Sequence, residues 1–167
     1  VPLIEWTLES LATAGVHEVF LLATWHIGEI RAYMEKHHPL LFSHLGARTH
    51  SIRPSALTRI TLIPVPEARS VGDTMRELDA HQVIKSDFVL VHSDALGNMD
   101  IASVVRAHKQ RRTVDRDAIM TICAMPVPPQ SRARRPGDLS VFTIVPTTSK
   151  LVHSLTVPGL TGGAVLT

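Results

Sequence analysis

The sequence predicts an α/β protein built on a mainly parallel, doubly wound sheet, with a β-hairpin added late in the chain. Three observations lead there. Short apolar runs rich in strand formers alternate with segments of helical period, in the order α-β-α-β-α-β-α-β, and such alternation makes right-handed βαβ crossovers with helices on both faces of the sheet. Two further apolar runs near the carboxyl end flank a turn-forming stretch. The 167 residues suffice for one compact domain, and 44% hydrophobic with 19% charged residues is a globular composition.

Ile4, Leu8, Leu11 and Ala12 recur at helical spacing, and Gly15 follows where a helix often ends on a left-handed residue. Residues 18–24 (EVFLLAT) form a nearly unbroken apolar run, the pattern of a strand covered on both faces. Ile27, Ile30 and Met34 return to the helical period, and Pro39 ends that element. Residues 40–55 keep no steady period and read as a long connection. Strand is expected at 60–65, helix at 74–83, strand at 87–92 (DFVLVH), helix at 101–109 and strand at 118–125 (AIMTICAM). Residues 1–125 would thus be a βαβ core. A Pro- and Arg-rich loop follows at 126–138, then a hairpin and the start of a more distal part at 139–167.

The bulk properties narrow the function classes. No apolar run is long enough to span a membrane, and the composition is not that of a disordered chain. A formal charge of +2 with a pI near 9.0 is too weak a bias to argue for nucleic acid. Cys123 is the single cysteine, which excludes an internal disulfide, favours a reducing compartment such as the cytoplasm, and reads as a small core residue. VPLIEW carries no signal-peptide pattern, and both ends of the chain read as trimmed. The ten histidines lack zinc-site spacing, and neither a Walker A sequence nor a GxSxG elbow occurs.

Ligands of open α/β sheets bind beyond the carboxyl ends of the strands, so polar residues there come first as candidates. The run FVLVHSD delivers Asp94 to that edge, where a carboxylate could hold Mg²⁺ bridging nucleotide phosphates. The position equally suits a loop aspartate bonded to nearby backbone. Gly72, Asp73 and Thr74 precede or open a helix: glycine permits close backbone approach to a flat ligand, while Asp73 could instead cap the helix. Asn98 and Asp100 read as N-cap residues. Arg106, Lys109, Arg111, Arg112 and Arg116, and in the Pro-rich loop Arg132, Arg134 and Arg135, read as solvated surface, since no aromatics interleave them.

The opening stretch VPLIEWTLESLATAGVHEVFLLATWHIGEIRAYME resembles the early part of the Rossmann-like nucleotidyltransferase domain of sugar-nucleotide pyrophosphorylases. SVGDTMRELDAHQVIKSDFVLVHSDALGNMDI and AHKQRRTVDRDAIMTI are similar to the epsilon-subunit family of eukaryotic translation initiation factor 2B, over about residues 1–125. That resemblance implies a glycine-rich phosphate loop upstream, a left-handed β-helix downstream and a catalytic exchange module farther on. It also implies a cytoplasmic hetero-oligomer, a gamma-like partner subunit, docking of translation initiation factor 2, and neither membrane nor direct nucleic-acid binding.

In active pyrophosphorylases two aspartates hold the metal, and the resemblance makes Asp94 the first. Asp73 stands where those enzymes commonly have Thr, and Ser93 where Gly usually precedes the metal aspartate. A carboxylate beside phosphates repels them unless a cation intervenes. The expectation is a domain without catalytic residues, in which Gly72, Asp73, Thr74 and Asp94 are a vestigial nucleotide site and no cofactor is needed. The alternative is a working mannose-1-phosphate guanylyltransferase-like enzyme, using Mg²⁺ with a nucleoside triphosphate.

Overall fold

The computed structural model describes residues 1–43, 57, 59–93, 95–124 and 139–157, with only the backbone at 43, 139–141 and 153–157. The chain divides into two units, Val1–Met120 and Thr121–Thr167. The first is α/β. Its elements are α1 (Leu3–Thr13), β1 (Glu18–Ala23), α2 (Ile27–His37), β2 (Phe42–Ser43), β3 (Arg59–Pro64), α3 (Val71–Ala80) and α4 (Ile101–Val114).

Helix α1 ends as the sequence predicts. Gly15 takes φ +82°, the Val16 amide donates to Leu11 and the Gly15 amide to Ala12, so two orphan carbonyls are satisfied and the chain reverses into β1. β1 and β2 both pair in parallel with β3, giving the order β1-β3-β2. The register aligns Glu18 with Arg59 and Ala23 with Pro64, and a 3.1 Å ion pair joins Arg59 to Glu18 where the two strands begin.

Side-chain alternation then sorts the strands onto two faces. Val19 and Ile60 join Leu8 of α1 and Met34 of α2 in one core cluster. Phe20, Leu22 and Ile63 join Met75 and Leu78 of α3 in the other. Helices therefore cover both faces, as a doubly wound sheet requires. β3 is buried from Ile60 to Ile63, with Ile60 and Ile63 fully buried, whereas β1 is only partly buried because one of its edges has no hydrogen-bonded neighbour among the described residues.

Several expectations are corrected. Residues 87–92 form no strand, and Phe88 and Leu90 lie half-exposed. A strand exists only with a partner for its amides and carbonyls, and this apolar run faces the open edge of β1 across a cavity of about 1080 Å³. Residues 118–124 form no strand either, so Ile119 and Met120 are exposed and Cys123 is a surface thiol rather than a core residue. Within the expected long connection the short β2 appears. Helix α3 starts three residues earlier than periodicity suggests because Ser70 caps it, and α4 runs five residues farther, to Val114.

In the second unit the expected hairpin is present. β4 (Leu139–Val145) and β5 (Lys150–Val157) pair antiparallel in a two-stranded sheet of their own, with a bulge between Thr143 and Ile144. Ser149, at φ +53°, closes the turn by donating its amide to Val145 at 2.7 Å. Among the described residues no helix is long and apolar enough to cross a membrane.

Candidate functional site

Parallel pairing brings the carboxyl ends of β1 and β3 side by side, and the Val65 amide donates to Ala23 at 2.9 Å to hold them there. The chain leaves β1 through the exposed Trp25 and through His26, which adopts φ +53° before α2. It leaves β3 through 65–70 and enters α3. The first turn of α3 is where three of the four sequence-predicted site residues fall; Asp94, the fourth, lies outside the described residues.

Helix α3 opens on a reciprocal cap. Ser70 Oγ accepts from the Asp73 amide at 3.1 Å, while Asp73 Oδ2 accepts from the Arg69 amide at 3.1 Å and from Ser70 Oγ at 2.9 Å. This is the capping-box logic, with the carboxylate reaching back one residue beyond the cap. The other oxygen, Asp73 Oδ1, pairs with Arg76 one turn on. The Ser70 hydroxyl, the Arg69 amide and the Arg76 guanidinium together hold the Asp73 carboxyl below its ordinary value. The cap residue is thus Ser70, not Asp73, and Asp73 is a partnered anion rather than a bare charge aimed at a ligand.

Gly72 and Thr74 also have local duties. A Cβ at Gly72 would meet Ser70 Oγ at 3.6 Å, an ordinary contact, so the local packing tolerates a side chain there. Thr74 donates its hydroxyl to the Ser70 carbonyl at 3.0 Å. Thr74 borders the same cavity as His92 and Ser93, so the structure brings the start of α3 and the residues before Asp94 to one space, whereas Gly72 and Asp73 do not line it. The Ser93 carbonyl accepts from Thr7 of α1 at 3.4 Å. Asp100 caps α4 as expected, accepting from the Ser103 amide at 3.0 Å, and its carboxyl is held low by the Ser103 hydroxyl and amide.

Two clusters escape the sequence. Glu5 of α1 accepts from His38 Nε2 at 2.8 Å, and the Tyr33 hydroxyl also bonds to it, while Tyr33 stacks on His37 with ring centroids 4.3 Å apart. Burial pushes the Glu5 carboxyl up, but the bonds from His38 and Tyr33 outweigh it, and the group sits below its ordinary value. Arg112 of α4 pairs with Asp87 at 2.5 Å, tying the basic helix to the apolar run. The partners are 33 and 25 residues apart, a separation no local pattern reports. Read from sequence, the α3 cap falls to Asp73, whereas the structure gives it to Ser70, with Asp73 as its reciprocal partner. Among the described residues no three His, Cys, Asp or Glu side chains gather as a metal site.

Helices on both faces of a parallel sheet, with two helices opening at its carboxyl edge, make residues 1–120 an α/β unit compatible with a Rossmann-like fragment. No family model matches the chain. It is 41% identical, over 152 residues making up 91% of this chain and 21% of the relative, to the translation initiation factor eIF2B subunit epsilon of Schizosaccharomyces pombe. It is 30% identical to the subunit of the same name in Dictyostelium discoideum, over 85% of this chain and 18% of that protein. Over the aligned residues the chain belongs to the eIF2B epsilon family, and it spans about one fifth of the length of these relatives.

Proposed function

We propose that this chain is part of a nucleotidyltransferase-like domain that transfers no nucleotide and acts as a scaffold in the guanine-nucleotide exchange factor for translation initiation factor 2. The observation behind the loss of chemistry is the state of Asp73. Helix N-termini attract anions through free amides and the helix dipole. Here the chain supplies that anion itself, and its carboxylate is neutralised by Arg76. A phosphate arriving at α3 would compete with an internal carboxylate that is already bonded.

The relatives' name supports the place in translation initiation. On this reading the domain assembles with a gamma-like subunit in a cytoplasmic hetero-oligomer and helps to dock translation initiation factor 2, and exchange resides elsewhere in the polypeptide. The test is calorimetry on the complete subunit titrated with GTP, ATP and GDP-mannose in the presence of Mg²⁺. Absence of heat is the expected result. Saturable heat abolished by Asp94→Ala would overturn the loss of nucleotide binding. Asp94→Ala should also leave guanine-nucleotide exchange by the assembled factor unchanged, and a large fall with folding intact would refute the scaffold reading.

A further inference from the structure

A second cavity, of about 480 Å³, lies between α1 and the start of α4. Trp6, Glu9 and Thr13 stand at helical spacing along its α1 wall, and residues 95–100 with the first turn of α4 make the other. Its volume falls in the range of about 300–1,000 Å³ in which clefts hold ligands. Trp6, Leu96 and Met99 all line it, yet they are 55%, 51% and 50% exposed. Large apolar side chains exposed singly are ordinary, but three that converge on one concavity mark an interaction surface. The charge of the groove is one-sided. Among the described residues the charged side chains lining it are Glu9 and Asp100, one on each wall, and no Lys, Arg or His lines it. Asp100 caps α4 and has Arg106 at 3.9 Å, whereas only the backbone carbonyl of Glu9 is engaged, by the Thr13 hydroxyl.

We propose that this groove receives an arginine side chain presented by a partner protein, with an apolar residue beside it. Charge complementarity calls for a cation, and the exposed indole of Trp6 offers the best aromatic face for one. Glu9 stands one turn along the same face of α1, placed to accept from the edge of a guanidinium stacked on that ring, and Asp100 answers from the opposite wall. The aliphatic stem of the arginine would lie along Leu96 and Met99. Arginine suits the site better than lysine because its planar, weakly hydrated head can stack and donate at its edges at once, while an ammonium is a strongly hydrated point charge. A nucleic acid is the wrong partner, since both lining carboxylates repel phosphate. A free amino acid would leave the apolar rim uncovered, so the occupant is a side chain on a polypeptide. Neither Ser70 nor Asp73 lines the groove, so this surface stands whether or not nucleotide binds at α3.

Fluorescence anisotropy on the full natural polypeptide tests this, with a labelled peptide that carries one arginine between two leucines in a Gly and Ser background. Saturable binding is expected. Replacing the peptide's arginine by glutamine should weaken it at least about tenfold, and by lysine about threefold. In the protein, Trp6→Ala should cost at least about tenfold and Glu9→Gln about threefold. About 1 M salt should weaken the complex, because a pair this exposed is screened. Trp6→Leu keeps apolar cover and removes the aromatic face alone, so it decides if Trp6→Ala loses the circular dichroism of the folded protein. No saturable binding up to about 1 mM peptide overturns the proposal. Equal binding of the glutamine peptide, or binding that Trp6→Leu leaves unchanged, overturns it as well.

Discussion

Truncating Ile60 to alanine should cost far more than truncating Leu22, although both are aliphatic side chains on neighbouring strands. Ile60 is fully buried at the centre of β3 and packs among Leu8, Leu57 and Met34. Removing three carbons there forfeits about 2.4 kcal/mol of transfer free energy at roughly 0.8 kcal/mol per methylene. A partly collapsed cavity adds roughly 1 kcal/mol, for about 3.5 kcal/mol in all. Leu22 is only partly buried, because it borders the open side of β1, and about half as much is expected. Urea titration of the 167-residue chain, followed by far-ultraviolet circular dichroism, reads these costs as midpoint shifts. With a slope near 1.5 kcal/mol per molar they are roughly 2 M for Ile60→Ala and 1 M for Leu22→Ala. If Ile60→Ala leaves no folded baseline, Ile60→Val at about 1 kcal/mol replaces it in the comparison. Equal shifts, or a larger one at Leu22, would show that β1 rather than β3 is the enclosed strand and would refute the layer assignment.

Other outcomes follow from single contacts. The Glu5 carboxyl lies below its ordinary value of 4.5 in the folded protein, so its contribution is fully present above about pH 4.5 and is lost as pH falls through the lowered folded value. Glu5→Gln should therefore cost about 1 kcal/mol at neutral pH and flatten the acid limb of a stability-against-pH curve, measured by thermal melting. Gly15→Ala meets no neighbouring atom but must hold φ +82°, so it should destabilise by about 1 kcal/mol through backbone strain alone, as denaturant titration would show. Cys123, on the surface, should react fully with a thiol reagent in native buffer; protection until denaturation would return it to the core.

The legible part of this fold was what depends on neighbours in sequence. Gly15, the helical spacing of Leu8 and Leu11, the compact EVFLLAT run and the turn-forming stretch 146–150 each act within a few residues, and each element appears within a residue of where those signals place it. The misreadings have a common physical origin. DFVLVH has the composition of an interior strand, but β-structure needs an edge to pair with, and composition does not say whether that edge is present. AIMTICAM failed in the same way, and took Cys123 with it. At the site, a capped start to α3 was readable, but it was assigned to Asp73 rather than Ser70, and the share of Asp73 taken by Arg76 and by the Arg69 amide required coordinates. Glu5 with His38, and Arg112 with Asp87, are meetings made by the tertiary fold.

The cap on α3 also bears on how the protein responds to its surroundings. A domain whose helix start is completed by a bound nucleotide gains stability from that nucleotide by mass action, and its folded fraction rises and falls with ligand concentration. Asp73 is tethered three residues from the cap that it completes, so its local concentration never changes. The stability of this helix start therefore does not rise and fall with the concentration of any free ligand.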